Sequence, residues 1–317
     1  MEKQEERVIV PMDQKPSLDE ETESSELNLE QVEEIVGYKF RDKRMLQRAF
    51  THHSYEESCD SYERLEFVGD SVLNLMIAKE HYALYPELAP GKLTRLRAAN
   101  VDTEKLARVA VKCDLHKYLR HRKPLLEWQI REFTESLPDY PLHSSGLIDP
   151  PKVLADIVES TIGAIFLDCG SSLDTTWEVV EKLLQPMITL ADLRTHPVTR
   201  LYELCQKNSM TIAVADLWKT TGEIQVLVDD KFVAKGKYKL KKFIAVNRAA
   251  ENAYHKIERK LREGENNKSH KQDEERQQDQ KQEQDKKHEH EHVQDQKLGQ
   301  HQDQQQDRAR EFIPQGI

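Results

Sequence analysis

A chain of 317 residues with only 37% hydrophobic and fully 33% charged side chains is too polar to fold as one compact globule. No apolar run approaches the roughly 18 residues that span a bilayer, and the acidic N-terminus lacks the apolar core of a signal peptide and the Arg-rich character of a transit peptide. The net charge of −10 disfavours a nucleic-acid partner until its distribution is read: residues 1–30 come to about −7 and 263–317 to about −5, whereas 195–262 come to about +7.

In chain order, residues 1–26 are polar and aperiodic and are expected to be disordered. From Leu27 the pattern turns helical, with Leu29, Val32, Ile35 and Val36 at three- and four-residue spacing, and helical patterns run to about Leu193. Proline breaks fall at Pro86–Pro90 and Pro138–Pro151. Residues 27–194 are therefore expected to form one all-α domain.

After His196-Pro197 the pattern changes. A short amphipathic helix is predicted at 198–208, and strands at about 212–218, 223–228 and 232–238. Thr220-Thr221-Gly222 and Asp229-Asp230 are the turns between them, and a last helix covers 241–262. This α-β-β-β-α order predicts a small α+β module over 195–262. Residues 263–317, mostly Gln, Asp, Glu, Lys and His, cannot bury a core and are expected to be a disordered tail, its histidines part of a solvated polar tract.

Chemistry concentrates on two helices. In Glu63-Arg64-Leu65-Glu66-Phe67-Val68-Gly69-Asp70, the acids Glu63, Glu66 and Asp70 share one helix face. Leu65, Val68, Val72, Leu75 and Met76 are expected to anchor the opposite face. In the segment 152–159, Asp156 and Glu159 share a face, and Ser160 and Gly163 on that face allow a neighbouring backbone to come close. Clustered carboxylates repel one another, and a hard divalent cation with oxygen ligands, Mg²⁺ or Mn²⁺, relieves that repulsion and can promote phosphodiester hydrolysis. Spacing alone fits equally well a pair of solvated helix faces with ordinary salt bridges.

The motifs themselves go further. ERLEFVGDSVLNL resembles the signature of the ribonuclease III family, and KVLADIVESTIGAIFLD resembles its second acidic motif. GYKFRDKRMLQRAFTHHSY and GKLTRLRAANV resemble its opening helices and its middle, so the likeness covers about 27–190 and points to the plant-type members. The resemblance implies that Glu66, Asp70, Asp156 and Glu159 bind the metal, with Asp70 and Glu159 catalytic. It implies that Glu63 is an accessory acid. Lys152 matches a lysine of the Dicer-like branch, placed to contact the scissile phosphate or a neighbouring carboxylate. Pro90 departs from the pattern, since many members have an acid there. His52 is read as a structural histidine, and Cys113 and Cys169 as buried packing residues.

Residues 196–262 resemble a double-stranded RNA-binding domain of divergent type. Glu203 stands where such domains contact a minor groove, and Lys237, Lys239, Lys241 and Lys242 form the basic end. Phe243 and Val246 replace expected lysines, and the short Thr220-Thr221-Gly222 loop lacks the usual Gly-Pro-x-His element.

The resemblance implies a homodimeric endoribonuclease that cuts double-stranded RNA and leaves 3′ overhangs and 5′ phosphates, and the chain is expected in the nucleus or cytoplasm, neither secreted nor in a membrane. Four cysteines without a CxxC pair fit a reduced compartment. The alternative is a catalytically inactive RNA-binding or protein-interaction partner of a processing enzyme.

Overall fold

The computed structural model describes residues 28–264 and Arg276. The disorder expected for 1–26, and for all but the start of 263–317, lies outside the described residues. The chain divides into two compact units at Thr195/His196.

The first unit is all helical: α1 (Leu29–Val36), α2 (Lys43–Ala49), α3 (Glu63–Leu84), α4 (Pro90–Val101), α5 (Thr103–Lys112), α6 (Pro124–Ser136), α7 (Lys152–Asp168) and α8 (Leu173–Leu184), with 3₁₀ turns at Leu115–Tyr118 and Leu137–Asp139. Helix starts follow local chemistry. The Asn28, Asp42, Asp102 and Ser172 side chains cap α1, α2, α5 and α8, and prolines open α4 and α6.

Helix α7 is the axis of this unit. It carries apolar residues around most of its circumference and is buried along nearly its whole length, packed on α2, α3, α5 and α8. Its far end is fixed by Asp168, whose carboxylate accepts hydrogen bonds from Tyr38 Oη and from the Arg41 and Asp42 amides at 2.9–3.0 Å. The loop leading into its start is fixed from α5. Buried Glu104 accepts hydrogen bonds from the Ser144 hydroxyl and amide, and Arg108 donates to the Pro141 carbonyl.

Helices α3 and α7 cross at two glycines. A Cβ on Gly69 would sit 1.7 Å from the Glu159 carbonyl oxygen, and one on Gly163 would sit 2.2 Å from that of Leu65. The close approach expected at Gly163 is present, and Gly69 is its counterpart.

The buried face of α3 differs from expectation. Leu65, Val72 and Met76 are buried, but Val68 is only partly so and Leu75 is 53% exposed. Leu73, Ile77 and Gly69 complete the buried face instead. That face is wound roughly a quarter turn towards the carboxylates from the predicted one, so the acids border the core rather than oppose it. A second apolar stripe, Phe67, Leu75 and Tyr82, faces solvent in this chain. Cys113 and Cys169 are likewise half-buried rather than buried, because each sits just past a helix end; Cys205 is the buried cysteine.

The second unit follows the order α9 (Pro197–Lys207), β1 (Ile212–Leu217), a helical turn α10 (Trp218–Thr221), β2 (Glu223–Val228), β3 (Lys231–Lys237) and α11 (242–264). The sheet is antiparallel in sequence order, with Val214 opposite Val226 and Val226 opposite Ala234. Asp229 and Asp230 both have positive φ, as a two-residue hairpin turn between right-twisted strands requires. Ile224, Val226, Ala234, Leu201, Cys205, Ala245, Ala249 and Ala253 form the core. Some boundaries move: Trp218, read as the end of the first strand, opens a helical turn that includes Thr220 and Thr221 of the predicted turn, and α11 extends beyond 262. No described helix is long and apolar enough to cross a membrane.

Candidate metal centre

The α3–α7 crossing brings acids that are ninety residues apart in sequence onto one side of the bundle. Carboxylate oxygens of Glu66, Asp156 and Glu159 all lie within 4.8 Å of one another. Asp70, one turn beyond Glu66, is exposed and is held by Asn74 Nδ2 at 2.9 Å. It stands outside that trio but acts on Glu159 electrostatically.

Asp156 is buried and gripped on both oxygens. Tyr62 Oη donates to Oδ2 at 3.0 Å, and Lys152 Nζ to Oδ1 at 2.5 Å. Tyr62 is itself placed by its amide, which donates to the Thr51 carbonyl. Lys152 also donates to Glu66 Oε1 at 2.7 Å and so bridges the two helices. Burial works against the ammonium, but its hydrogen bonds to Asp156 and Glu66 raise its pKa above the ordinary lysine range. Burial, with Glu66 nearby, raises Asp156. Among the described residues Glu159 has no such partner. Burial, then the charges of Asp70, Asp156 and Glu66, push its carboxyl up to about 8.

A set of hard oxygen donors that cannot all ionise at neutral pH suits a hard divalent cation. The donors fit Mg²⁺ or Mn²⁺, which favour carboxylates, and lack the Cys and His ligands of a softer site.

The accessory positions separate. Glu63 opens α3 but turns from the trio: Ser61 Oγ donates to it at 2.6 Å and His53 Nδ1 pairs with it at 2.9 Å. The Ser61 hydrogen bond and the His53 contact outweigh burial and hold its pKa low. His52 is 6% exposed, its Nδ1 shared between the Ser54 amide and hydroxyl, and burial with His53 and Lys123 alongside lowers its pKa to about 4. It is a neutral packing residue on the wall of the cleft that holds Glu66 and Lys152. Pro90 is the first residue of α4 and brings no charge. Sequence reasoning missed Tyr62 and His53. Tyr62 adjoins the acidic helix, but nothing in its spacing signals a contact to a residue 94 positions away.

In the second unit Lys237, Lys239, Lys241 and Lys242 cluster at the β3–α11 junction, all exposed, and Glu203 is exposed on α9. Lys242 pairs with Asp216 and Lys237 with Glu223, so acidic neighbours offset part of the basic end.

A family model described as the ribonuclease III domain matches residues 63–170. The chain is 47% identical over 234 residues to ribonuclease 3-like protein 3 of Oryza sativa subsp. japonica, covering 73% of this chain and 78% of that one. It is 44% identical over 230 residues to the Dicer homolog 1 endoribonuclease of Arabidopsis thaliana, covering 70% of this chain and 12% of that one. Among solved structures it is similar to the nuclease domain of ribonuclease III from Campylobacter jejuni, at 29% identity and TM-score 0.41, over 50% of this chain and 98% of that one.

Proposed function

This chain belongs to the ribonuclease III family of double-strand-specific endoribonucleases, and on that premise we propose that it is an active member that hydrolyses duplex RNA with Mg²⁺ or Mn²⁺ at Glu66, Asp70, Asp156 and Glu159. The observation that carries the reading is the crowding of the cluster: three carboxylates from two helices within 4.8 Å, with Glu159 pushed up to about 8. A bound divalent ion would supply an activated water and offset charge on the leaving oxygen.

The chain's own residues do the positioning. Tyr62 and Lys152 fix both oxygens of Asp156, and the Gly69–Gly163 crossing sets the distance between the acid-bearing helices. Asp70 and Glu159 act as the catalytic pair in this reading, with Glu63 and Lys152 accessory. None of the four core acids is missing from the sequence, which favours the enzyme over an inactive relative.

The basic end of the second unit, with Glu203, is assigned to the RNA; its lysines suit phosphates and 2′-hydroxyls of an A-form helix. The solvent-facing stripe Phe67, Leu75 and Tyr82 is assigned to a homodimer interface, since an exposed apolar stripe next to a catalytic face favours a partner. Four free cysteines agree with a reduced compartment, nucleus or cytoplasm.

The test is cleavage of a long RNA duplex by purified protein in Mg²⁺, Mn²⁺, Ca²⁺ or excess EDTA. Cleavage is expected with the first two and little with Ca²⁺, which tolerates looser coordination. Full activity in EDTA contradicts the metal reading, and no cleavage in any metal contradicts the enzyme.

A further inference from the structure

The ammonium of Lys152 bridges two of the three clustered acids. Its Nζ lies 2.7 Å from Glu66 Oε1 and 2.5 Å from Asp156 Oδ1, oxygens supplied by different helices and belonging to two of the three clustered acids. An Mg²⁺ or Mn²⁺ ion ligated by those same oxygens takes them at about 2.1 Å. The ion and the ammonium would then share one small volume, and like charges at that separation repel strongly even where the effective dielectric is high. Among the described residues the ammonium makes no other side-chain hydrogen bond. The side chain is 70% exposed, so it can swing out without disturbing the core. It compensates Glu66 and Asp156 and makes no hydrogen bond to Glu159.

Resting on the metal-centre reading above, we propose that Lys152 is a resident counter-cation of the metal-free cluster, and that a divalent ion must displace it in order to bind. The lysine then lowers metal affinity, holds α3 and α7 together while the ion is away, and is freed towards solvent once the ion is bound. It is a positioning residue that makes loading a competition between two cations for one pair of oxygens.

Calorimetric Mn²⁺ titration of the full-length wild type, Lys152→Met and Lys117→Met tests this without any reading of activity. Lys117, an exposed residue paired with Asp114, controls for loss of one positive charge. Lys152→Met is expected to bind Mn²⁺ about 10-fold more tightly than wild type, and Lys117→Met within about 2-fold of it. Equal or weaker binding by folded Lys152→Met overturns the proposal, since the lysine would then be helping to hold the ligands. Absence of Mn²⁺ binding in wild type and variant alike fails the metal reading itself, and the inference with it. If Lys152→Met does not fold, a wild-type crystal structure with Mn²⁺ decides. Nζ is expected beyond hydrogen-bonding distance of Glu66 Oε1, and an ion seated with both lysine contacts retained overturns the idea.

Discussion

Glu159 is where the electrostatics of this molecule concentrate. Its carboxyl titrates near 8 in the folded chain against an ordinary value of 4.5, through burial first and three acidic neighbours second. A raised acid favours the folded state while it is protonated. Its contribution is therefore present below about 4.5 and is lost as pH rises through about 8. Glu159→Gln, which cannot ionise, should be more stable than wild type in EDTA at about pH 9 by on the order of 1–2 kcal/mol, with the gap closing towards about pH 5. Urea unfolding at several pH values measures it, and a gap independent of pH contradicts the assignment. The acids themselves were legible in the sequence, because three- and four-residue spacing puts side chains on one helix face whatever surrounds them. Their partners were not. Tyr62 reaches Asp156 only because the chain folds back between Thr51 and α3, and no local pattern encodes that return.

The close crossing of α3 and α7 turns two amphipathic segments into a site. Gly163→Ala places a Cβ against the Leu65 carbonyl, a backbone atom that cannot step aside. It should destabilise the protein by about 2–3 kcal/mol or more and, if the acids hold a metal as proposed, weaken Mn²⁺ binding by parting the acid-bearing helices. Gly91, in the first turn of α4, would meet nothing within 4 Å if it carried a methyl group, so Gly91→Ala should instead stabilise by about 0.5–1 kcal/mol. Thermal or urea unfolding of both variants checks the contrast; equal effects contradict the crossing. Helices and strands were readable from period and turn chemistry, including the Asp229-Asp230 hairpin. The buried face of α3 was not. This helix bears two apolar stripes, and periodicity cannot say that Leu73 and Ile77 are buried while Phe67, Leu75 and Tyr82 face outward. The helical turn at Trp218–Thr221 was hidden for a similar reason: Trp218 Nε1 donates to the Tyr238 carbonyl, a tertiary contact that overrides strand propensity.

For the whole molecule, charge is partitioned by segment, and the net −10 conceals a basic module. If that module grips phosphates, removing residues 195–317 should weaken binding to duplex RNA and flatten its dependence on salt, because fewer counterions are released. Cleavage at low salt should persist, since the first unit carries the cluster. Unchanged affinity and salt slope in a gel-shift series would assign the module to another partner, and the pairing of Lys242 and Lys237 with acids makes that comparison informative. Whether the Glu66–Asp70–Asp156–Glu159 cluster performs metal-dependent hydrolysis of duplex RNA is decided by one paired experiment on wild type and Glu159→Gln: single-turnover cleavage and duplex affinity on the same preparations in Mg²⁺. The variant should cut more slowly by about 10²-fold or more with affinity kept within about 3-fold, because under the proposed function the substitution removes a metal ligand while leaving the RNA-facing surface intact. A folded Glu159→Gln protein that cuts at close to the wild-type rate would refute the assignment of the site.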